Sequence, residues 1–271
     1  MTPSSIWTAV QAIRSKGPVV HNITNYVVMN NTANALLAIG ASPVMAHSGR
    51  EVEEIIGIAS ALVINIGTLS EDWVPSMFKA AEAARKKGIP IVLDPVGAGA
   101  TSYRTGTARE LIQAVPPEII RGNASEIMAL LDAGSKTKGV DSSASSEEAV
   151  AIGRELHKQS GSVVCVSGAT DYTIGAAGVI LTKNGHPLMT KVTGLGCTAS
   201  SLCGAFAAVT ADPLLAAAEA MAVMGIAGEI AASRSQGPGS LQVNFLDALY
   251  ALSAEQIASS LAIDRYSYEK Y

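Results

Sequence analysis

The sequence is short of aromatic and charged residues: Phe, Trp and Tyr make up 4% of its 271 positions, and charged residues 15%. A core must therefore be assembled from aliphatic side chains, and hydrophobic residues at 48% supply enough for a large one. Excess positive charge is missing too. The formal net charge is −4 and the pI near 5.6, with Lys and Arg scattered apart from the run Arg85-Lys86-Lys87, so nucleic acid is not an expected partner. Cysteine is scarce. Cys165, Cys197 and Cys203 are odd in number and form no CxxC pair, which argues against a disulfide framework and a zinc site. The opening segment MTPSSIWTAVQAIRSKG has no charged start followed by an apolar core, so no signal peptide is expected and the cytoplasm is the default compartment.

Charge is absent altogether from Val192 to Ala211, a run long enough to suggest a bilayer span, which takes about 20 apolar residues. Thr193, Thr198, Ser200, Ser201 and Thr210, with Gly194, Gly196 and Gly204, make that a poor reading. A helix from near Gly196 to Thr210, about 22 Å long, instead suits a buried crossing of a globular domain.

Short aliphatic runs alternate with segments of helical period. Residues 18–24, 42–46, 61–68, 89–96, 118–123 and 162–168 read as strands buried on both faces. Between them, a helix is expected after Ser70, with Glu71 and Asp72 in its first turn and a stop at Arg85-Lys86-Lys87 before Gly88. Parallel strands need such crossovers, so the expected fold is α/β: a largely parallel central sheet with helices on both faces, in one domain over 1–271. Ligands then bind beyond the carboxyl ends of the strands. Past Gly168 the rhythm changes to short strands at 171–174, 178–182 and 186–190, the last two joined by Lys183-Asn184-Gly185 in a type I′ hairpin. Two or three Ala-rich helical segments follow, with a break at Asp212-Pro213. Lys136 to Ser146 is the most polar stretch and reads as a surface loop.

Three features gather on the expected ligand edge. Asp94 ends a strand in LDPVGAGA, where it fits an Asx turn or a metal ligand. Asn123 and Glu126 in RGNASEI have the spacing of a capping box. In Thr193-Gly194-Leu195-Gly196 the glycines fit a tight turn or a helix start facing an anion. Two carboxylates opposite an anion-binding helix terminus suit Mg²⁺ and nucleotide phosphates. The four histidines show no metal-ligand spacing.

ITN with NYVVMNNTANALLAIGASPVM, INIGTLS, LDPVGAGAT, RGNASEI, the SG of VVCVSG, KVTGLGC and GPGS, in that order, resemble the hydroxyethylthiazole kinase family across nearly the whole chain. The resemblance implies a ribokinase-like fold without a separate lid domain and ATP- and Mg²⁺-dependent phosphorylation of 4-methyl-5-(2-hydroxyethyl)thiazole in thiamine salvage. It implies that Met45, Gly194 and Asn25 contact the thiazole, Asn25 across a subunit boundary in a homotrimer with sites between neighbouring chains. Arg121 and Ser167 match nucleotide-binding positions, Ser167 replacing the commoner Thr, and Asp94 and Glu126 match magnesium-associated ones. The N–H groups of Gly194 to Cys197, Gly196 included, would stabilise the transferring phosphoryl group. Cys197 stands where the wider ribokinase superfamily usually has an Asp base. A helix N-terminus can lower a thiol by about one unit or more, yet a thiolate is a weak base toward an alcohol, which leaves the base open. Two other classes stay open: a lyase acting on damaged nicotinamide cofactors, which shares the fold, and a binding protein without transfer activity.

Overall fold

Residues 1–131 and 146–267 are described by the computed structural model, so the polar stretch expected as a surface loop lies outside the described residues up to Ser146, which opens a helix. Six short, almost uniformly aliphatic runs become parallel strands: β1 (Val19–Ile23), β2 (Ser42–Met45), β3 (Ala61–Asn65), β4 (Ile91–Asp94), β5 (Ile119–Asn123) and β6 (Val163–Ser167). Three antiparallel strands extend that sheet, β7 (Asp171–Gly175), β8 (Gly178–Thr182) and β9 (Ile263–Tyr266), in the order β2-β1-β3-β4-β5-β6-β7-β8-β9. The expectation of a largely parallel sheet thus holds for six of the nine strands found among the described residues.

The helices are α1 (Pro3–Lys16), α2 (Met29–Ile39), α3 (Val52–Ile58), α4 (Trp73–Lys87), α5 (Ser102–Ala114), α6 (Ala124–Leu130), α7 (Ser146–Ser160), α8 (Leu195–Ala207), α9 (Pro213–Ser233), α10 (Pro238–Ala251) and α11 (Ala254–Ser260). They cover both faces, because alternate strand residues feed two separate cores. Val20, Val63, Val92 and Ile119 pack with α1, α2 and α8 to α10, whereas Leu62, Ile64, Leu93 and Ile120 pack with α3 to α7. Helix α8 crosses the middle strands β1, β3 and β4, as a buried uncharged helix should. Its bounds are shorter than the expected 196–210. Helix α9 is long and apolar enough to cross a membrane, yet 83% of its apolar window is buried here, between α8 and α10.

Two expectations change. The strand at 186–190 is a turn of 3₁₀ helix, Pro187–Lys191, capped by the His186 ring. Pro187 has no N–H for a ladder, and the β8 edge is taken by β9. Asn184 is accordingly buried in a corner instead of a hairpin tip: its amide donates to Glu229 of α9 and to the Ser260 carbonyl, and accepts from Ala262 N. Near Ser70, the hydroxyl does cap Trp73 N at 3.2 Å, but Glu71 and Asp72 lie in the turn before α4, not in its first turn.

Candidate active site

The strand order lays the sequence-derived residues in a row along one edge. Met45 ends β2, Asn25 follows β1, Asp94 ends β4, Arg121 lies two residues from the end of β5, and Ser167 ends β6. Neighbouring strands lie about 4.8 Å apart, so the row from β2 to β6 extends about 24 Å. That is long enough for an acceptor and a nucleotide side by side.

Period-two alternation aims the central side chains at α8. Asn65, Asp94 and Arg121 each follow by two residues a core residue on the α8 face: Val63, Val92 and Ile119. Asp94, 1% exposed, accepts at Oδ2 from Asn65 Nδ2 at 2.7 Å and from the Ser200 hydroxyl of α8 at 2.8 Å. Burial pushes its carboxyl up to about 7, against the pull of Arg121, Ser200 and Asn65 and with Glu126 adding to the rise. Asn65 Oδ1 accepts in turn from Asn25 Nδ2 at 2.8 Å, and Asn25 Nδ2 reaches the Cys197 sulfur of the same chain at 3.4 Å.

Arg121 leans onto the start of α8, where Nη1 donates to Gly196 O at 3.0 Å. Burial opposes its charge, but Asp94 and Asp171 support it. The α8 start is left-handed at Gly194, φ +85°, and the first intrahelical bond runs from Thr198 N to Gly194 O at 2.8 Å. The N–H groups of Gly194 to Cys197 precede that bond and form the helix's donor end. A side chain at Gly194 would meet two obstacles: the positive φ, and a Cβ placed 2.8 Å from Val28 Cγ1. Gly194→Ala is therefore expected to destabilise the fold by about 1–2 kcal/mol and to move the donor end, read as a lower melting temperature together with weakened phosphate-analogue binding.

Cys197 lies in the first turn of α8 beside Asp94. Its thiol is pushed up to about 11, because burial and the Asp94 carboxylate outweigh Asn65, Asn25 and Arg121. The helix terminus does not make it a thiolate. Glu126 completes a capping box with Asn123: its Oε2 accepts from Asn123 N at 2.9 Å while Asn123 Oδ1 accepts from Glu126 N at 2.9 Å. Its Oε1 accepts from Gly97 N at 2.8 Å and holds the LDPVGAGA loop against α6, so both oxygens are engaged. Among the described residues no group of three or more His, Cys, Asp or Glu stands ready as a metal cage. Ser167 donates to Gly122 O at 3.2 Å, which ties the ends of β5 and β6 together. Met45, partly buried, is paired in register with Asn22 at the far end of the row. Tyr26, His47 and Trp73 form a cluster of tilted rings, with centroids 4.6 Å apart for Tyr26 and Trp73 and 4.2 Å for His47 and Trp73.

Sequence reasoning missed Asn65 and Ser200. The signal for Asn65 was present, since it is the polar end of the otherwise aliphatic ALVIN on the Val63 side. Ser200 carried none beyond being a hydroxyl in an uncharged helix.

Residues 10–255 match the sequence profile of the hydroxyethylthiazole kinase family. The chain is 63% identical over 264 residues to a hydroxyethylthiazole kinase of Syntrophus aciditrophicus, covering 97% of this chain and 98% of that one. The solved hydroxyethylthiazole kinase of Pyrococcus horikoshii superposes with a TM-score of 0.91 at 44% identity, covering 97% of this chain and all of the other. A ribokinase-like superfamily protein of Enterococcus faecalis shares the fold at a TM-score of 0.62 and 15% identity, with 95% and 90% coverage.

Proposed function

The chain belongs to the hydroxyethylthiazole kinase family, and from that premise we propose that the row on its sheet edge transfers the γ-phosphoryl group of ATP to the hydroxyethyl oxygen of 4-methyl-5-(2-hydroxyethyl)thiazole, in thiamine salvage. The observation that carries the reading is a single contact network. Ser200, Asp94, Asn65, Asn25 and Cys197 are linked by hydrogen bonds, and Arg121 is bonded to the α8 start beside them.

In this reading the thiazole lies on the β2 and β1 side, against Met45, Gly194 and the same chain's Asn25, whose bonds to Asn65 and Cys197 turn it into its own site and not across a subunit boundary as the resemblance implied. The nucleotide lies on the β5 and β6 side, against Arg121 and Ser167. The N–H groups of Gly194 to Cys197 then face the phosphoryl group between the two, where positioning and charge stabilisation supply most of the catalysis of a loose transition state. Arg121 is a permanent cation for the phosphate oxygens. The donor set suits Mg²⁺, a hard ion that commonly uses one or two carboxylates, waters and substrate phosphates in place of an all-protein cage. Asp94 would hold it most directly and Glu126, whose oxygens are already engaged, through water; bound there, the ion neutralises charge on the donor phosphates. A thiol near 11 stays protonated at neutral pH, so Cys197 is not the base that starts the reaction. The alcohol proton leaves late, after bond formation to phosphorus has acidified it, and passes to water or to a phosphate oxygen.

Replacing Cys197 by Ala is consequently expected to cost less than about tenfold in kcat, below the 10²-fold scale of a general base. A kcat profile from pH 6 to 10 checks this: the variant keeps the parent's shape, whereas a parent kcat that climbs steadily towards pH 10 and a variant that does not would restore the thiol as base. The homotrimer remains part of the proposal. Tyr26 and Val27, each 63% exposed beside buried Asn25, offer the apolar surface a neighbouring chain would cover, and the cytoplasm is where its substrates would be met. Product formation from the thiazole alcohol and ATP, titrated with Mg²⁺ and with hydroxymethylpyrimidine as a competing acceptor, tests the function. Metal-dependent thiazole phosphate supports it; thiazole binding without product opposes it.

A further inference from the structure

We propose that Asn65 is a positioning residue that ties the acceptor side of this site to its phosphoryl side, an inference that rests on the kinase reading above. Asn65 is 2% exposed and sits at the end of β3, between the strand that leads to Asn25 and the strand that ends in Asp94. Its amide orientation is dictated by a backbone group. Gly67 N–H, which can only donate, meets Oδ1 at 2.9 Å, so Nδ2 must face Asp94. Asn25 is fixed in the same manner. Val27 N–H donates to Asn25 Oδ1 at 3.2 Å, which leaves Asn25 Nδ2 for Asn65 Oδ1 and Cys197 Sγ.

The two amides form a directional chain from Cys197 to Asp94 with no freedom to flip. A turn-capping Asn would need only its Oδ1 bond to Gly67 N, and Asp94 already has a second donor in Ser200. The bond from Nδ2 to Asp94 therefore does more than close a turn: it sets Asp94 in register with Asn25. Packing at Gly67 reinforces the arrangement, because a Cβ there would stand 2.6 Å from Asn25 Nδ2. A ligand that orders either half then spares the other part of its ordering cost through the shared amide bonds, which is positive coupling.

Binding linkage tests the assignment. Titration calorimetry measures the affinity of MgADP with and without saturating thiazole alcohol, alongside each ligand alone and the melting temperature. The parent is expected to show a coupling of about fivefold or more. Asn65→Ala is expected to bring that factor close to one while each ligand still binds. Should Asn65→Ala fail to fold, Gly67→Ala serves: its new Cβ moves Asn25, so thiazole affinity falls, MgADP affinity alone is kept, and the coupling is lost. Ser200→Ala removes an Asp94 bond without touching Asn25 and should keep the coupling. A parent without coupling, or a folded Asn65 variant that retains it, would overturn the inference. A parent that binds no thiazole alcohol would instead overturn the kinase reading itself.

Discussion

Asn in place of Asp94 is expected to lower turnover of the thiazole alcohol about a thousandfold, about 4 kcal/mol of transition-state stabilisation, while leaving a folded protein. The carboxamide keeps the shape and can still present its oxygen to Asn65 Nδ2 and Ser200 Oγ, so the fold loses no hydrogen-bond partner at Oδ2. What it loses is the anion beside Arg121 and the ligand for a cation. Stability should move the other way. The folded carboxyl titrates at about 7 against an ordinary value of 3.8, so the folded state holds a proton that the unfolded chain has released between those values. Stability from this group is complete below about 3.8 and is lost as pH rises from there through about 7, where the loss levels off. Asp171, pushed by burial up to about 6, acts in the same sense over a shorter window. In metal-free buffer the parent's melting temperature should therefore fall more between pH 5 and pH 8 than that of the Asp94→Asn protein. Parallel melting curves with pH, or turnover within a factor of two of the parent, would remove Asp94 from the centre of the account.

Arg121→Ala should cost two to three orders of magnitude in kcat/KM, about 3–4 kcal/mol, with the loss falling on the nucleotide. The guanidinium does two things a smaller residue cannot. It supplies a fixed cation on the phosphate side, and it holds the α8 donor end through Gly196 O. Lys would restore charge without the planar fork, so Arg121→Lys should recover about tenfold and no more. Binding measurements separate the halves: MgADP affinity falls and thiazole affinity stays. A variant weakened for the thiazole alone would put Arg121 on the wrong side of the row.

The parallel half of the fold was legible because each buried strand is a short aliphatic run ended by polar or turn residues, and each crossover helix carries its own start or stop signals. Helix α4 shows how far that goes: Ser70 and Gly88 mark its limits, and only the assignment of Glu71 and Asp72 was off by a turn. The antiparallel end was less legible. Asn184-Gly185 has hairpin chemistry, but Glu229 and Ser260, distant in sequence, claim the Asn184 amide, and the β8 edge is closed by a strand from near the C-terminus. At the site, Asp94 and the α8 start were readable from a strand end and glycines, whereas Arg121 came only from the family resemblance. The role of Cys197 stayed open in the sequence because its protonation depends on burial and on Asp94 across the fold as well as on its helix position. Asn65 was missed because a lone Asn at a strand end reads as a turn former until its neighbours are known.

The most direct measurement is a single-turnover reaction of ATP and Mg²⁺ with thiazole alcohol carrying ¹⁸O in its hydroxyethyl group, followed by ³¹P NMR. The account predicts a phosphomonoester signal that bears the isotope shift of a bridging ¹⁸O, since the alcohol oxygen attacks phosphorus and stays attached to it. A phosphomonoester without the label, or inorganic phosphate as the only new signal, would contradict transfer to that alcohol.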